Sequence, residues 1–188
     1  MADASTREWC NEWMHRKEGR TTPAEFMITP TVTWADVDVD DEAMRTLTTA
    51  TRDLAATPSV IHFVGANRRQ RRLAAEAMAH ALDRPLLRID LGAVDSAWIK
   101  ETEPNLNRIF TAAVGADALL FFDEADALLG KRPEVKDSHD RFSAEAVSHL
   151  LSRIDDHSAP CIVATNAKQN LDPAFVRRLR AQVNFPRR

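Results

Sequence analysis

Five short apolar runs, separated by stretches with helical periodicity, constrain the fold of this chain more than any other feature. They lie at 60–64, 86–90, 118–122, 161–164 and 181–185. A strand buried on both faces reads as a nearly continuous apolar run, and such strands belong to parallel sheets covered by helices. The intervening pattern predicts helices over 42–55, 71–82, 103–114 and 143–154. A further short helix is capped and started by Asp172 and Pro173. Asp40 or Asp41 can cap the first helix. Pro104 is tolerated in the first turn of the third. In the fourth, Ala146, Val147, Leu150, Leu151 and Ile154 share one side. The expected fold class is therefore α/β: a five-stranded parallel sheet flanked by helices in three αβα layers. In such folds ligands bind beyond the carboxyl ends of the strands.

The chain is 188 residues long, enough for one domain with a sizeable core. Residues 1–33 read as an N-terminal extension and 34–188 as the α/β core. In the extension Trp9 and Trp13 are four apart and can share a helix face, either to grip a partner or to pack on the chain's own core. A net charge of −3 argues against nucleic acid bound through a basic surface. Two cysteines, Cys10 and Cys161, make no disulfide framework, which points to a reducing compartment. The start lacks the apolar run of a secretory signal, and no stretch approaches the ~20 apolar residues that span a bilayer. A cytoplasmic protein without a membrane partner is expected.

The chemistry is concentrated where the third apolar run ends. Leu119-Leu120-Phe121-Phe122 leads into Asp123-Glu124-Ala125-Asp126. A buried strand ending in adjacent carboxylates suits Mg²⁺ held through Asp123 and a water positioned or activated by Glu124. The same pair could merely cap the next segment. After the fourth run, Thr165-Asn166 places an amide beside this acidic pair.

The companion phosphate loop belongs after the first run, where the chain reads Gly65-Ala66-Asn67-Arg68-Arg69-Gln70-Arg71-Arg72. A phosphate-cradling loop has glycine, four residues, glycine, lysine, then serine or threonine. Only Gly65 fits. Gln70 stands at the second glycine, where a Cβ resists φ > 0. Arg71 replaces the lysine and keeps its charge with a different shape. Arg72 replaces the hydroxyl and, as a cation with no lone pair, cannot ligate Mg²⁺. Three readings remain open: the arginines capture an anion, the loop works as an ordinary phosphate loop, or this is a solvated basic helix start. Near the C-terminus, Arg177, Arg178 and Arg180 follow a short helix. They could act in trans on a neighbouring subunit or be a surface cluster favoured by the helix dipole. Neither His139-Asp140 nor Asp155-Asp156-His157 has convincing metal-ligand spacing. His62 lies inside a strand and reads as a packed side chain.

The residues from about 59 to 186 together resemble an AAA+ ATPase core. The resemblance rests on Leu73-Ala74-Ala75-Glu76, Arg88-Ile89-Asp90-Leu91, Trp98 to Glu103, Phe121 to Asp126, Gly130 to Arg141, Ala164-Thr165-Asn166 and Leu171 to Arg180. It looks closest to the bacterial branch often found with contractile injection systems. The resemblance implies ATP and Mg²⁺ as cofactors, Asp123 and Glu124 as the Walker B pair, and Asn166 as sensor 1. It also implies that Arg178 and Arg180 are arginine fingers, and that Trp98 and Ile99 are the pore-loop pair gripping a polypeptide in a ring of AAA+ subunits. Trp98 could instead be core, and Lys100 replaces the glycine common after that aromatic. Two departures stand out: the degenerate Walker A loop, and a chain that stops at Arg188, before the helical lid such cores carry. The first expectation is accordingly an AAA+-like protein-remodelling subunit with impaired ATP hydrolysis, a pseudo-ATPase or ring scaffold. The alternatives are a weak ATPase using its arginine-rich loop, and an adaptor that uses no nucleotide and works through its N-terminal extension.

Overall fold

A computed structural model describes residues 25–94, 99–126, 144–156, 159–166 and 173–186. In chain order the elements are β1 (Glu25–Ile28), α1 (Asp41–Ala56), β2 (Val60–Val64), α2 (Arg68–Ala81), β3 (Leu86–Asp90), α3 (Thr102–Gly115), β4 (Leu119–Asp123), α4 (Ala144–Asp156), β5 (Cys161–Thr165), α5 (Pro173–Val176) and β6 (Leu179–Asn184), with a 3₁₀ turn at Trp34–Asp36. All five expected strands are present. They pair in parallel, β3 with β4, β4 with β5, β5 with β2 and β2 with β6.

The sheet has six strands in the order β1-β3-β4-β5-β2-β6. The extra strand, β1, comes from the segment expected as an N-terminal extension and runs antiparallel to β3, with Glu25 opposite Ile89 and Ile28 opposite Leu86. Its four residues sit between Pro23 and Pro30, too short a run to stand out as a strand by pattern. Trp9 and Trp13 lie outside the described residues.

Strand side chains alternate between two cores, as the period of two demands. Ile61, Phe63, Leu119, Phe121, Ile162 and Ala164 join the apolar faces of α1 and α2 on one side. Leu87, Ile89, Leu120, Phe122, Cys161 and Val163 join α3 and α4 on the other. These alternating sets make the three layers. Helix α1 starts where expected, because the Asp40 side chain accepts a hydrogen bond from the Ala43 N–H at 2.7 Å. Among the described residues no helix is long and apolar enough to cross a membrane.

Chain order and sheet order differ at one place that matters. The connection from β2 through α2 to β3 passes over β5 and β4, so β2 lies beside β5 while β3 lies beyond β4. The carboxyl ends of β3, β4, β5 and β2 then come together under the N-terminus of α2. In register, Asp90 lies opposite Asp123, and Val64 opposite Thr165.

Candidate functional site

Helix α2 begins at Arg68, three residues earlier than the sequence pattern predicts, and this shift determines the site. Asn67 caps it, its side chain accepting from Gln70 N–H at 3.2 Å. Residues 68–70 are therefore wound into helix instead of forming an open loop. Most of the backbone N–H groups here are already used. Gly65 N–H donates to Thr165 O at 3.0 Å, and Asn67 N–H to Phe185 O at 3.2 Å. Arg68 N–H donates to Ala66 O at 3.0 Å, and Arg71 N–H to Asn67 O at 3.1 Å.

Gly65 keeps a real conformational duty, with φ of 131°. A Cβ on it would lie 2.1 Å from the Phe185 carbonyl oxygen, so only glycine lets the ends of β2 and β6 approach this closely.

Helical spacing puts Arg68, Arg71 and Arg72 on one face, at i, i+3 and i+4. That face looks onto the strand ends. Arg68 Nη2 donates to Asp90 Oδ2 at 2.5 Å and its Nε to Asp123 Oδ2 at 3.2 Å. Arg72 grips the same two oxygens, with Nη2 at 3.0 Å from Asp90 and Nε at 2.7 Å from Asp123. Two arginines and two carboxylates thus close a four-membered clamp between α2, β3 and β4. Arg68 Nε also lies 3.3 Å from Glu124 Oε1.

Arg71 is completely buried. Its Nη1 donates to the carbonyls of Gly65 at 2.7 Å and Thr165 at 2.6 Å. Its Nη2 donates to Glu124 Oε1 at 2.8 Å, Asn166 Oδ1 at 3.2 Å and Asp123 Oδ1 at 3.4 Å. One guanidinium therefore ties the ends of β2, β4 and β5 together.

Three positive charges meet three negative ones in this cluster. The placement runs against the helix dipole, since α2 has no acidic residue in its first turn. A cation there costs about 0.3–1 kcal/mol. Each charge-assisted hydrogen bond contributes about 1.5–3 kcal/mol, so the carboxylates outweigh the dipole. Burial disfavours the Arg68 charge, but the neighbouring Asp123, Asp90 and Glu124 overcome it and raise its pKa above the ordinary arginine value. For Arg88, on β3, burial wins; with Arg72 nearby, its pKa is lowered.

Asn166 completes the cluster. Its Nδ2 donates to Glu124 Oε2 and, at 3.2 Å, to Asp126 Oδ2, while its backbone N–H donates to both Asp126 oxygens at 3.0 Å. Burial raises the Asp126 pKa. Glu124 turns toward α2 through a left-handed backbone, φ 56°, uncommon for a residue with a side chain.

The sequence-selected residues are thus placed as follows. Asp123, Glu124, Asn166, Gly65, Asn67, Arg68, Arg71 and Arg72 converge. Ala66 and Arg69 are exposed. Gln70 faces the preceding segment, its Oε1 accepting from Asp38 N–H at 2.9 Å. Trp98 lies outside the described residues. Ile99 is half-buried and packs against the core of α3 and α4. His62 is buried as expected, with Nε2 2.8 Å from Thr165 Oγ1, and burial lowers its pKa.

Arg178 and Arg180 lie elsewhere. Leu179 aligns with Val60 and Asn184 with Val64, so these arginines sit at the amino end of β6. The acidic cluster is at the other end of the strands, roughly 15 Å away at 3.3 Å per residue. Arg180 falls at an irregularity in the β2–β6 register, is 61% exposed and pairs with Asp53 at 3.1 Å. Arg178 holds Asp155, with Nε 2.7 Å from Oδ1, and this bond lowers the Asp155 pKa.

Sequence reading missed Asp90 as a site residue. Its signal is a second strand ending in a carboxylate, and arginines at i, i+3 and i+4 in a helix start with no acidic residue in its first turn.

As placed here, the residues that would receive a magnesium nucleotide are engaged with one another. The Asp123 oxygens, where a cation would bind, face guanidinium groups, and most of the loop's N–H donors are paired with the protein's own oxygens.

Comparison with known proteins accords with this architecture. Residues 71–187 match the family described as "ATPase family associated with various cellular activities (AAA)". An AAA family ATPase of Sinorhizobium fredii, y4kL, is 34% identical over 117 residues, covering 61% of this chain and 35% of that protein. Cell division protein C of Sulfolobus acidocaldarius is 29% identical over 118 residues, 58% of this chain and 32% of that one. A cell division cycle protein 48 homolog of Archaeoglobus fulgidus is 27% identical over 201 residues, 96% of this chain and 27% of that protein. The chain spans about a third of the length of these relatives. Among solved structures, the AAA domain of FIGL-1 superposes with a TM-score of 0.67 at 19% identity, over 98% of this chain and 61% of that one.

Proposed function

The chain belongs to the AAA family of ATPases, and from that premise we propose that it is an AAA+ core working without nucleotide, as a structural subunit of an oligomeric assembly. One observation carries this reading: Arg71, fully buried, ties together Gly65, Asp123, Glu124, Thr165 and Asn166, the residues a nucleotide and its metal would otherwise organise. The clamp of Arg68 and Arg72 on Asp90 and Asp123 supports it. Salt bridges internal to the chain fix the strand ends against α2.

Arg178 and Arg180 suit a role toward a neighbour, because they lie at the opposite end of the sheet from the chain's own cluster. In a mixed ring they would complete the nucleotide site of an active AAA+ subunit. Trp98 and Ile99 as a grip on a polypeptide, and the bacterial branch associated with contractile injection systems, rest on the sequence resemblance.

A second reading, a weak ATPase with an arginine-rich loop, draws on the partial exposure of Arg68 and Arg72, at 42% and 31% of their side chains. It needs both to release Asp123. It predicts salt-sensitive nucleotide binding that weakens in Arg71→Ala.

Mass measurement in solution separates the two. The structural reading predicts an assembly state that is the same with and without Mg·ATP. A nucleotide-dependent change in mass contradicts it.

A further inference from the structure

Gln70 stands where a phosphate loop has its second glycine, yet its side chain is engaged elsewhere. Between β1 and α1, residues 29–40 cross from one edge of the sheet toward the other, passing over α2. Val32, Trp34 and Val39 pack against the apolar core beneath. Side chains of α2 hold the backbone of this strap at two points among the described residues. Glu76 Oε1 accepts from Thr31 N–H at 3.1 Å and Val32 N–H at 3.4 Å. Gln70 Oε1 accepts from Asp38 N–H at 2.9 Å.

We infer that Gln70 is a latch that holds the strap against the N-terminus of α2, where the two together wall a cleft. That cleft is lined by Asp38, Val39, Asp40, Asn67, Gln70 and Asn184. The latch goes beyond the absence of nucleotide and does not depend on it. Glycine at this position has no side-chain acceptor, so the residue that departs from the phosphate-loop pattern is also the one that fastens the strap.

The geometry separates the latch from the arginine cluster. Arg68, Arg71 and Arg72 face the strand ends, while Gln70 faces the strap. Helix α2 is thus fixed on two sides, by ion pairs toward the sheet and by hydrogen bonds toward the strap, of which those to Glu76 are charge-assisted and the one to Gln70 is neutral. The neutral Gln70 bond is the weaker hold, so the strap opens first at Asp38.

The test is residue-resolved amide exchange under native conditions on the full chain, comparing wild type, Gln70→Ala and Gln70→Glu. Glutamate keeps the acceptor oxygen and alanine does not. In Gln70→Ala the Asp38 amide should exchange roughly fivefold faster, as expected for one net hydrogen bond. Gln70→Glu should return it to near the wild-type rate. The Thr31 and Val32 amides, held by Glu76, should stay within about twofold in both variants. An unchanged Asp38 rate in Gln70→Ala overturns the inference. So does a Gln70→Glu variant as fast as alanine, or equal acceleration at Thr31, Val32 and Asp38, which would report general loosening.

Discussion

Arg71 Nη2 donates to Glu124 Oε1 at 2.8 Å, joining the residue at the expected lysine position to the residue at the expected catalytic-base position. The pair lies inside the protein, with Arg71 fully buried and only 18% of the Glu124 side chain exposed. Removing one member of such a pair leaves the other's charge buried and unmatched. Arg71→Ala should therefore lower unfolding free energy by about 3–5 kcal/mol. Glu124→Gln keeps an oxygen acceptor and should cost less, about 1–2 kcal/mol. Urea denaturation of the two variants checks both values. An Arg71→Ala loss below about 1 kcal/mol would mean the cluster is decorative.

The clamp should show energetic coupling that the surface pairs lack. Asp123 is fully buried while Arg72 is 31% exposed at the side chain. A double-mutant cycle with Arg72→Ala and Asp123→Asn should give about 1–3 kcal/mol of interaction energy. The same cycle on Arg180 and Asp53, whose side chains are 61% and 37% exposed, should give at most about 0.5 kcal/mol. Equal values would contradict the assignment of stability to the site.

His62 makes the stability pH-dependent. Burial lowers its folded pKa below the ordinary 6.5, so the unfolded chain takes up its proton first on acidification. Its contribution is complete above pH 6.5 and declines as pH falls from there toward the folded value. A His62→Gln variant, unable to titrate, should lose this component of the decline. Melting temperatures measured from pH 8 to pH 5 read it out, and parallel curves for the two proteins would refute it.

Much of the fold was legible because its signals are local. The apolar runs gave five strands within a residue or two of their observed bounds, and the caps gave the start of α1. β1 was not legible, since four residues carry too little pattern and its pairing with β3 is set by tertiary contact. In the site, Asp123, Glu124 and Asn166 stood out by their place at strand ends. The role of the arginines did not. The sequence shows that Arg71 keeps the lysine's charge with a different shape and that Arg72 cannot ligate Mg²⁺, but only the early start of α2 turns Arg68, Arg71 and Arg72 together onto the carboxylates at the strand ends. Whether an arginine meets a ligand or the protein's own carboxylate is decided by that one turn of helix.

Gly65 tests the backbone geometry on its own. Gly65→Ala puts a Cβ against the Phe185 carbonyl and forces a left-handed residue at φ 131°. It should destabilise the chain by about 2–4 kcal/mol in chemical denaturation. A neutral substitution would show that β2 and β6 do not approach as closely as described.

The most direct measurement is a calorimetric titration of the chain with ATP in the presence of Mg²⁺, run beside the Glu124→Gln variant. With guanidinium groups filling the cluster, no binding heat and no turnover are predicted for either protein. Micromolar binding by the wild type, with hydrolysis that collapses in Glu124→Gln, would contradict a core that works without nucleotide.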